Sequence, residues 1–319
     1  MPFSNFPQGF AQGLSVRGMP LLQMQPGAVF WVSDSTVLNQ GAVGGSDTNR
    51  GTFQRPFATV AGALAQCVAG RGDIIFVGAG HTETISSATA LAMSKSGVAV
   101  IGLGSGSLRP TFTFDTANTA TIAVSADDIS FQNCIFIANF LTIAAAFTLS
   151  TAKNFAVQNC EFRDTAADKN FANVVKSTGG ANTVDGLSFT DNFYPSIGTT
   201  YNTGVLVANA VDRMTISRNN IFTISTSDIA ILAVSTTGAV TNLLIENNNC
   251  TSKATTHTSS LLILGTGTAG TGMIRNNFCG SLDASAGVLF IVTIGWRSQG
   301  NSISGALAGQ GFPIPALDS

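Results

Sequence analysis

The chain has 319 residues, of which 10% are charged and 45% hydrophobic, with 34 glycines and a formal net charge of -2. So little charge, and no Lys/Arg cluster, argues against nucleic-acid binding, which needs concentrated charge to neutralise phosphates. The apolar content argues equally against disorder. A compact globule normally carries about 25% charge, so Ser, Thr and Asn must cover the outside, as in all-β repeat proteins.

Residues 1–28 contain one charge (Arg17), four prolines (Pro2, Pro7, Pro20, Pro26) and many large apolar side chains. They show neither helical nor strand periodicity, lack the basic-then-apolar pattern of a signal peptide, and are too apolar for a flexible linker. They read as an extended arm that orders on another protein surface through Phe3, Phe6, Phe10, Leu14, Arg17, Met19, Leu21 and Leu22. The plainer alternative is that the arm covers the helix cap of its own chain.

Residues 57–69 have helical spacing and precede a strand expected at Asp73–Val77. The helix should cap the N-terminal end of the body, assigned to residues 29–308, because an open strand edge invites pairing with other chains. His81, in Gly80-His-Thr-Glu83, is expected at an early turn as a surface imidazole.

From Ile129 onward one pattern recurs: alternating apolar residues, a polar step, Asn or Asp, then a second small or polar residue and often an aromatic. It reads Ile129-Ser-Phe-Gln-Asn-Cys-Ile-Phe136, Phe155-Ala-Val-Gln-Asn-Cys-Glu-Phe162 and Leu187-Ser-Phe-Thr-Asp-Asn-Phe-Tyr194. It continues as Thr215-Ile-Ser-Arg-Asn-Asn-Ile-Phe222, Leu243-Leu-Ile-Glu-Asn-Asn-Asn-Cys250 and Gly272-Met-Ile-Arg-Asn-Asn-Phe-Cys279. Repeats of roughly 24–32 residues mark a stacking architecture, and short β-rich runs separated by turn residues make each repeat one coil of two or three strands. The expected fold is all-β, a right-handed parallel β-helix of about nine coils. The apolar run from Ile135 to Leu149 then reads as two buried strands, not a membrane span.

Aligned positions become columns in such a stack. The sixth position predicts an amide ladder through Asn192, Asn220, Asn248 and Asn277, and the eighth an aromatic stack from Phe136 through Phe162, Tyr194 and Phe222 to Cys250 and Cys279. Five cysteines without a CxxC pair predict buried free thiols rather than disulfides or a zinc site. Residues 309–319, with two prolines, read as an extended tail.

Carboxylates offer the main catalytic candidates. Glu161, Asp164 and Asp168 follow one repeat, while Asp185 and Asp191 belong to the next. A pair about 5–9 Å apart would support glycoside hydrolysis, but Arg163 and Lys169 lie among them, so a salt-bridged surface is the competing reading. Asp127-Asp128 marks a turn and His257 a polar loop. No nucleophile elbow, phosphate-binding loop or HExxH motif is present. No catalytic residue, metal or cofactor is therefore assigned, and the expectation is of no enzymatic activity.

Gly51-Thr-Phe-Gln-Arg-Pro-Phe-Ala-Thr59, Gly72-Asp-Ile-Ile-Phe-Val77 and Gly80-His-Thr-Glu83 resemble the entry segment of pectate-lyase-like right-handed β-helix proteins. With the repeats, that resemblance covers roughly residues 29–305 and implies the fold, not a function. Gly13-Leu-Ser-Val-Arg-Gly-Met-Pro-Leu-Leu-Gln23 with Pro26-Gly-Ala-Val-Phe-Trp-Val32 resembles the start of tailed-bacteriophage structural proteins. This second resemblance implies a virion protein made in the host cytoplasm. It would be a homotrimeric decoration or minor capsid protein on the capsid surface, with the major capsid protein as partner and no nucleic-acid or membrane contact. The alternative is a tail spike or receptor-binding β-helix that binds or depolymerises host glycans.

Overall fold

The computed structural model describes residues 15–16, 19–20, 27–34, 43–199, 203–207, 209–224, 232–234, 238–253, 270–281 and 296–304. Their strands form a right-handed parallel β-helix. Among the described residues its three long sheets hold ten, nine and six strands, so about six turns carry a strand on every side. At about 4.8 Å per turn the ten-strand sheet is roughly 43 Å long.

One turn shows the plan. Ser130–Gln132 lies in the first sheet, Ile135–Ala138 in the second and Phe147–Leu149 in the third. The next turn repeats it with Ala156–Gln158, Glu161–Asp164 and Asn173–Ser177. Residues pair one to one between turns: Phe131 with Val157, Phe136 with Phe162, Phe147 with Val175. Alternate residues face inward, as in Thr111–Phe114, where only the two phenylalanines are buried. The Ile135–Leu149 run is indeed two strands, and no described helix is long and apolar enough to cross a membrane.

The core changes character along its length. Phe112, Phe136 and Phe162 stack at 5.5 and 5.2 Å, each pair 20° from parallel. Tyr194 continues the column edge-on at 6.1 Å. The next inward residues are Ile221, Cys250 and Cys279. Ile221, not Phe222, fills this column. Thr215 pairs with Ser188 and with Leu244, so the 215–222 segment sits one residue out of the alignment its Asn-Asn suggests. A one-residue offset moves a side chain to the opposite face, and Phe222 points outward.

The same offset corrects the ladder. Its members are Asn192, Asn219, Asn248, Asn277 and Asn301, all buried, and Asn220 lies outside it. The first four Nδ2 groups each donate to the Oδ1 of the next Asn, at 3.1, 2.9, 2.9 and 2.8 Å in order, and Asn301 Nδ2 donates to the Ser298 hydroxyl. Each also donates to a main-chain carbonyl of the turn behind, from Val157, Phe189, Ile216, Ile245 and Ile274. Every Oδ1 also accepts from a main-chain N–H one turn earlier, beginning with Cys160 to Asn192. The amides are therefore filled on both sides, which makes their burial tolerable.

Beside the ladder the corner backbone is left-handed. Asn133, Asn159, Asp191, Arg218, Asn247 and Asn276 all have φ between 52° and 59°, and Gly300 follows at 63°. Asn, Asp and Gly tolerate that region best. Arg218 is the exception, and its guanidinium grips Asp191 through two 2.7 Å bonds.

The stack begins earlier than expected, because Val29–Val32 pairs with Ile74–Val77. The helix is shorter than 57–69: it spans Val60–Gln66, capped by Thr59, whose side chain accepts from the Gly62 N–H. Phe57 is instead extended, donating its N–H to the Trp31 carbonyl and accepting from Ser33. This closes the strand edge. Asp73 fastens the entry: its carboxylate accepts from Ala28 and Val68 N–H groups, both at 2.7 Å, and from Arg71 at 2.6 and 2.8 Å. Burial pulls its carboxyl upward, but these bonds outweigh it and hold it below the ordinary carboxylate range. All five cysteines are free and buried. Burial and the Asp73 charge push the Cys67 thiol up to about 11. Residues 309–319 lie outside the described residues.

Candidate functional site

The outer face of the second sheet carries the most distinctive described surface. Along Phe193–Pro195, Asn220–Thr223, Asn249–Ser252 and Phe278–Ser281, one outward column reads Phe193, Asn220, Asn249, Phe278. The neighbouring column reads Pro195, Phe222, Thr251, Gly280. Phe193 and Phe278 are each 38% exposed, whereas Tyr194 and Cys279, one residue further on in the same strands, are buried. Three turns separate them, about 14 Å.

Polar groups fill the space between the rings. Asn249 Nδ2 donates to Asn220 Oδ1 at 3.0 Å, and the Thr251 hydroxyl donates to Asn249 Oδ1 at 3.3 Å. Phe222 meets Phe193 edge-on, with centroids 6.1 Å apart. At the other end Gly280 leaves room for Phe278, since a Cβ there would come within 3.1 Å of that ring. An open groove of about 220 Å³ runs beside the column, lined by Pro195, Ser196, Ile197, Phe222, Thr223, Ile224 and Lys253.

Asp164 builds the groove wall. Its Oδ2 accepts from the Ser196 hydroxyl at 2.6 Å and from the N–H groups of Ile197 and Gly198 at 3.0 and 3.2 Å. Its Oδ1 accepts from the Tyr194 hydroxyl at 3.0 Å. Burial raises the Asp164 carboxyl above its usual range, although these four donors oppose that. The same burial, with the neighbouring Asp164 charge, pushes the Tyr194 phenol up.

The other sequence candidates disperse. Glu161 sits next to Phe193 on the adjoining turn and joins Arg109 and Arg163, the latter at 2.6 Å, in a salt-bridged triad. Asp185 accepts from the Asp212 N–H at 2.9 Å and lies 3.9 Å from Lys153. Asp191 holds Arg218 across one pair of turns, and in the neighbouring column, one residue earlier, Glu246 pairs with Arg275. Hydrogen bonding to Arg218 keeps the Asp191 carboxyl below its usual value. Asp164, at the end of the Glu161–Asp164 strand, and Asp185, in the turn before Ser188–Thr190, thus have separate partners. Asp127 marks a turn, as expected, accepting from the Lys153 N–H. Among the described residues no group of three His, Cys, Asp or Glu side chains could hold a metal.

His81 is a correction. It is buried, not on the surface, because the turn after Gly80 folds it under the cap beside Phe112. Its Nε2 lies 3.3 Å from Glu83 Oε2, which also accepts from the Val60 N–H at 2.9 Å. Of the arm residues, Met19 falls in a short antiparallel pairing of Met19–Pro20 with Ser15–Val16. Phe3, Phe6, Phe10, Leu14, Arg17, Leu21 and Leu22 lie outside the described residues, as does His257.

Sequence reading passed over Phe193 and Phe278 and placed Phe222 in the inward stack. The signal was present for both passed-over rings: period-two alternation places Phe193 and Phe278 opposite the inward Tyr194 and Cys279. Phe222 was hidden by the one-residue offset.

No family model matches the chain, and no curated protein matches its sequence. Solved structures similar to it include a rhamnogalacturonan lyase, with TM-score 0.42 and 14% identity, covering 86% of this chain and 88% of that one. Pectate lyase Pel9A follows at 0.40 and 14%, covering 91% and 80%. The A-module of mannuronan C-5 epimerase AlgE6 from Azotobacter vinelandii gives 0.33 and 10%, covering 75% and 88%. All three are named as enzymes, which overturns the expectation of no enzymatic activity. At these identities and scores they carry no assignment of a reaction to this chain. None is named as a phage or capsid protein, and the second resemblance gains nothing from them.

Proposed function

We propose that the chain is a carbohydrate-binding β-helix that holds an extended glycan along the outer face of its second sheet. The exposed pair Phe193 and Phe278, framing the Asn220–Asn249 amides, carries this reading. Aromatic faces stack on the apolar face of a sugar ring, while amides and hydroxyls serve its hydroxyl groups. The rigid stack fixes the spacing of these groups, so little ordering is lost on binding. Lys253, exposed at the groove, adds a polar contact beside the column.

The test is titration of neutral and acidic oligosaccharides into the full chain and into Phe193→Ala/Phe278→Ala. The double variant should lose about tenfold or more in affinity, since ~1.4 kcal/mol of contact is a factor of ten, with its melting unchanged. Equal binding by both proteins would reject the proposal. Release of reducing ends in the same mixtures shows whether the bound chain is cut. The capsid-decoration reading, with its homotrimer and major capsid protein partner, rests on the arm sequence alone and is not carried further.

A further inference from the structure

A second exposed apolar surface lies at the opposite end of the body and serves no part of the glycan face. On the first sheet, Trp31, Phe76 and Ile101 form one outward column, with Val29 and Ile74 in the next. Trp31 packs edge-on against Phe53 at 4.9 Å and tilted against Phe76 at 5.1 Å. Phe53 is 43% and Val29 45% exposed. One turn beyond Ile101 the column becomes polar, at Gln132 and then Gln158. The patch is therefore confined to the first three turns, about 10 Å of the stack.

Its occupant must lie on side chains. The adjoining strand edge is closed, since the Trp31 N–H donates to Gly51 and its carbonyl accepts from Phe57. An added strand has no place there. The occupant should also be apolar, because no charged side chain interrupts these columns.

The chain supplies such a segment at the foot of the patch. Ala28, tied to Asp73, runs directly into Val29. The residues before it carry a single charge, Arg17, and include Phe3, Phe6 and Phe10. Twenty-six residues reach up to about 86 Å when extended, so length does not restrict docking. A tethered segment meets its own patch at an effective concentration of roughly millimolar, which favours it over a separate molecule. We propose that residues 1–24 of the same chain fold back over Trp31, Phe53 and Phe76, with Phe3, Phe6 and Phe10 seated on these rings.

The experiment uses the full chain carrying Trp296→Phe, which leaves Trp31 as its only tryptophan. Acrylamide quenching of Trp31 and trypsin cleavage after Arg17 are compared with and without Phe3→Ser/Phe6→Ser/Phe10→Ser. Docking in cis predicts weak quenching and slow cleavage in the parent at every protein concentration, both rising severalfold in the triple variant. Strong quenching or fast cleavage in the parent, or no difference between the proteins, overturns the proposal. Shielding that disappears on dilution also overturns it, and assigns the patch to a second copy. Cleavage after Arg17 reads the arm directly, so the outcome does not depend on how Trp31 emission responds to substitution.

Discussion

The two halves of the stack solve one problem by different chemistry. Through Phe112, Phe136 and Phe162 the turns are joined in the core by rings about 5 Å apart. From Asn192 to Asn301 the inward positions of the second sheet shrink to Ile221, Cys250 and Cys279, and the corner amides take over the connection. Ring stacking is non-directional and depends on volume. The ladder is directional, and every amide atom has an assigned partner. Mutations should therefore fail differently in each half.

Phe136→Ala is the sharpest break in the ring half. Phe136 is fully buried between Phe112 and Phe162 and also contacts Phe131 and Phe147. Losing it should cost about 4 kcal/mol through transfer and cavity terms, read by denaturant unfolding. Phe136→Leu should recover part of this, because volume matters more than chemistry there.

The ladder half should show the reverse dependence. Asn219→Ala removes the Oδ1 that accepts from both the Asn192 N–H and its Nδ2, and should cost roughly 3 kcal/mol. Asn219→Leu, despite keeping volume, should be no better. Asn220→Ala next door, outside the ladder, should change stability by less than about 1 kcal/mol. Equal losses at 219 and 220 would show that the one-residue offset is misplaced.

Asp73 separates the entry from both halves through pH. Its carboxyl is held below the unfolded value of roughly 3.9. The native state therefore binds fewer protons than the unfolded chain in that window, and stability rises with pH across it. The advantage of wild type over Asp73→Asn should be constant above the unfolded carboxylate value, then shrink as pH falls through the folded one. A difference that grows on acidification would contradict this assignment.

The smallest effect is expected on the surface. In the Asp191–Arg218 and Glu246–Arg275 pairs the arginines are exposed and the carboxylates partly so, and such surface pairs are screened by salt. Arg218→Asn removes one pair but puts a better-suited residue at a left-handed position. Its melting temperature should stay near wild type and be less sensitive to added salt.

Much of this was legible from residue order. The recurring Asn or Asp at Asn133, Asn159, Asp191, Asn247 and Asn276 marked the repeat, and the structure shows that these are the left-handed corners. Apolar alternation marked the inward rings Phe136 and Phe162, and the repeat length implied a stack. These are local requirements, so a single turn displays them.

Only the tertiary structure decided which residues stand beside one another. Strand side chains alternate with period two, and a one-residue offset exchanges faces; nothing within Thr215–Phe222 distinguishes Asn219 from Asn220. Pairing of Thr215 with Ser188 and Leu244 settles it. Burial of His81, capture of the 196–198 loop by Asp164 and alignment of Phe193 with Phe278 likewise depend on contacts between turns. In a solenoid those contacts join residues about one repeat apart, and the intervening loops alone set the register at which they meet.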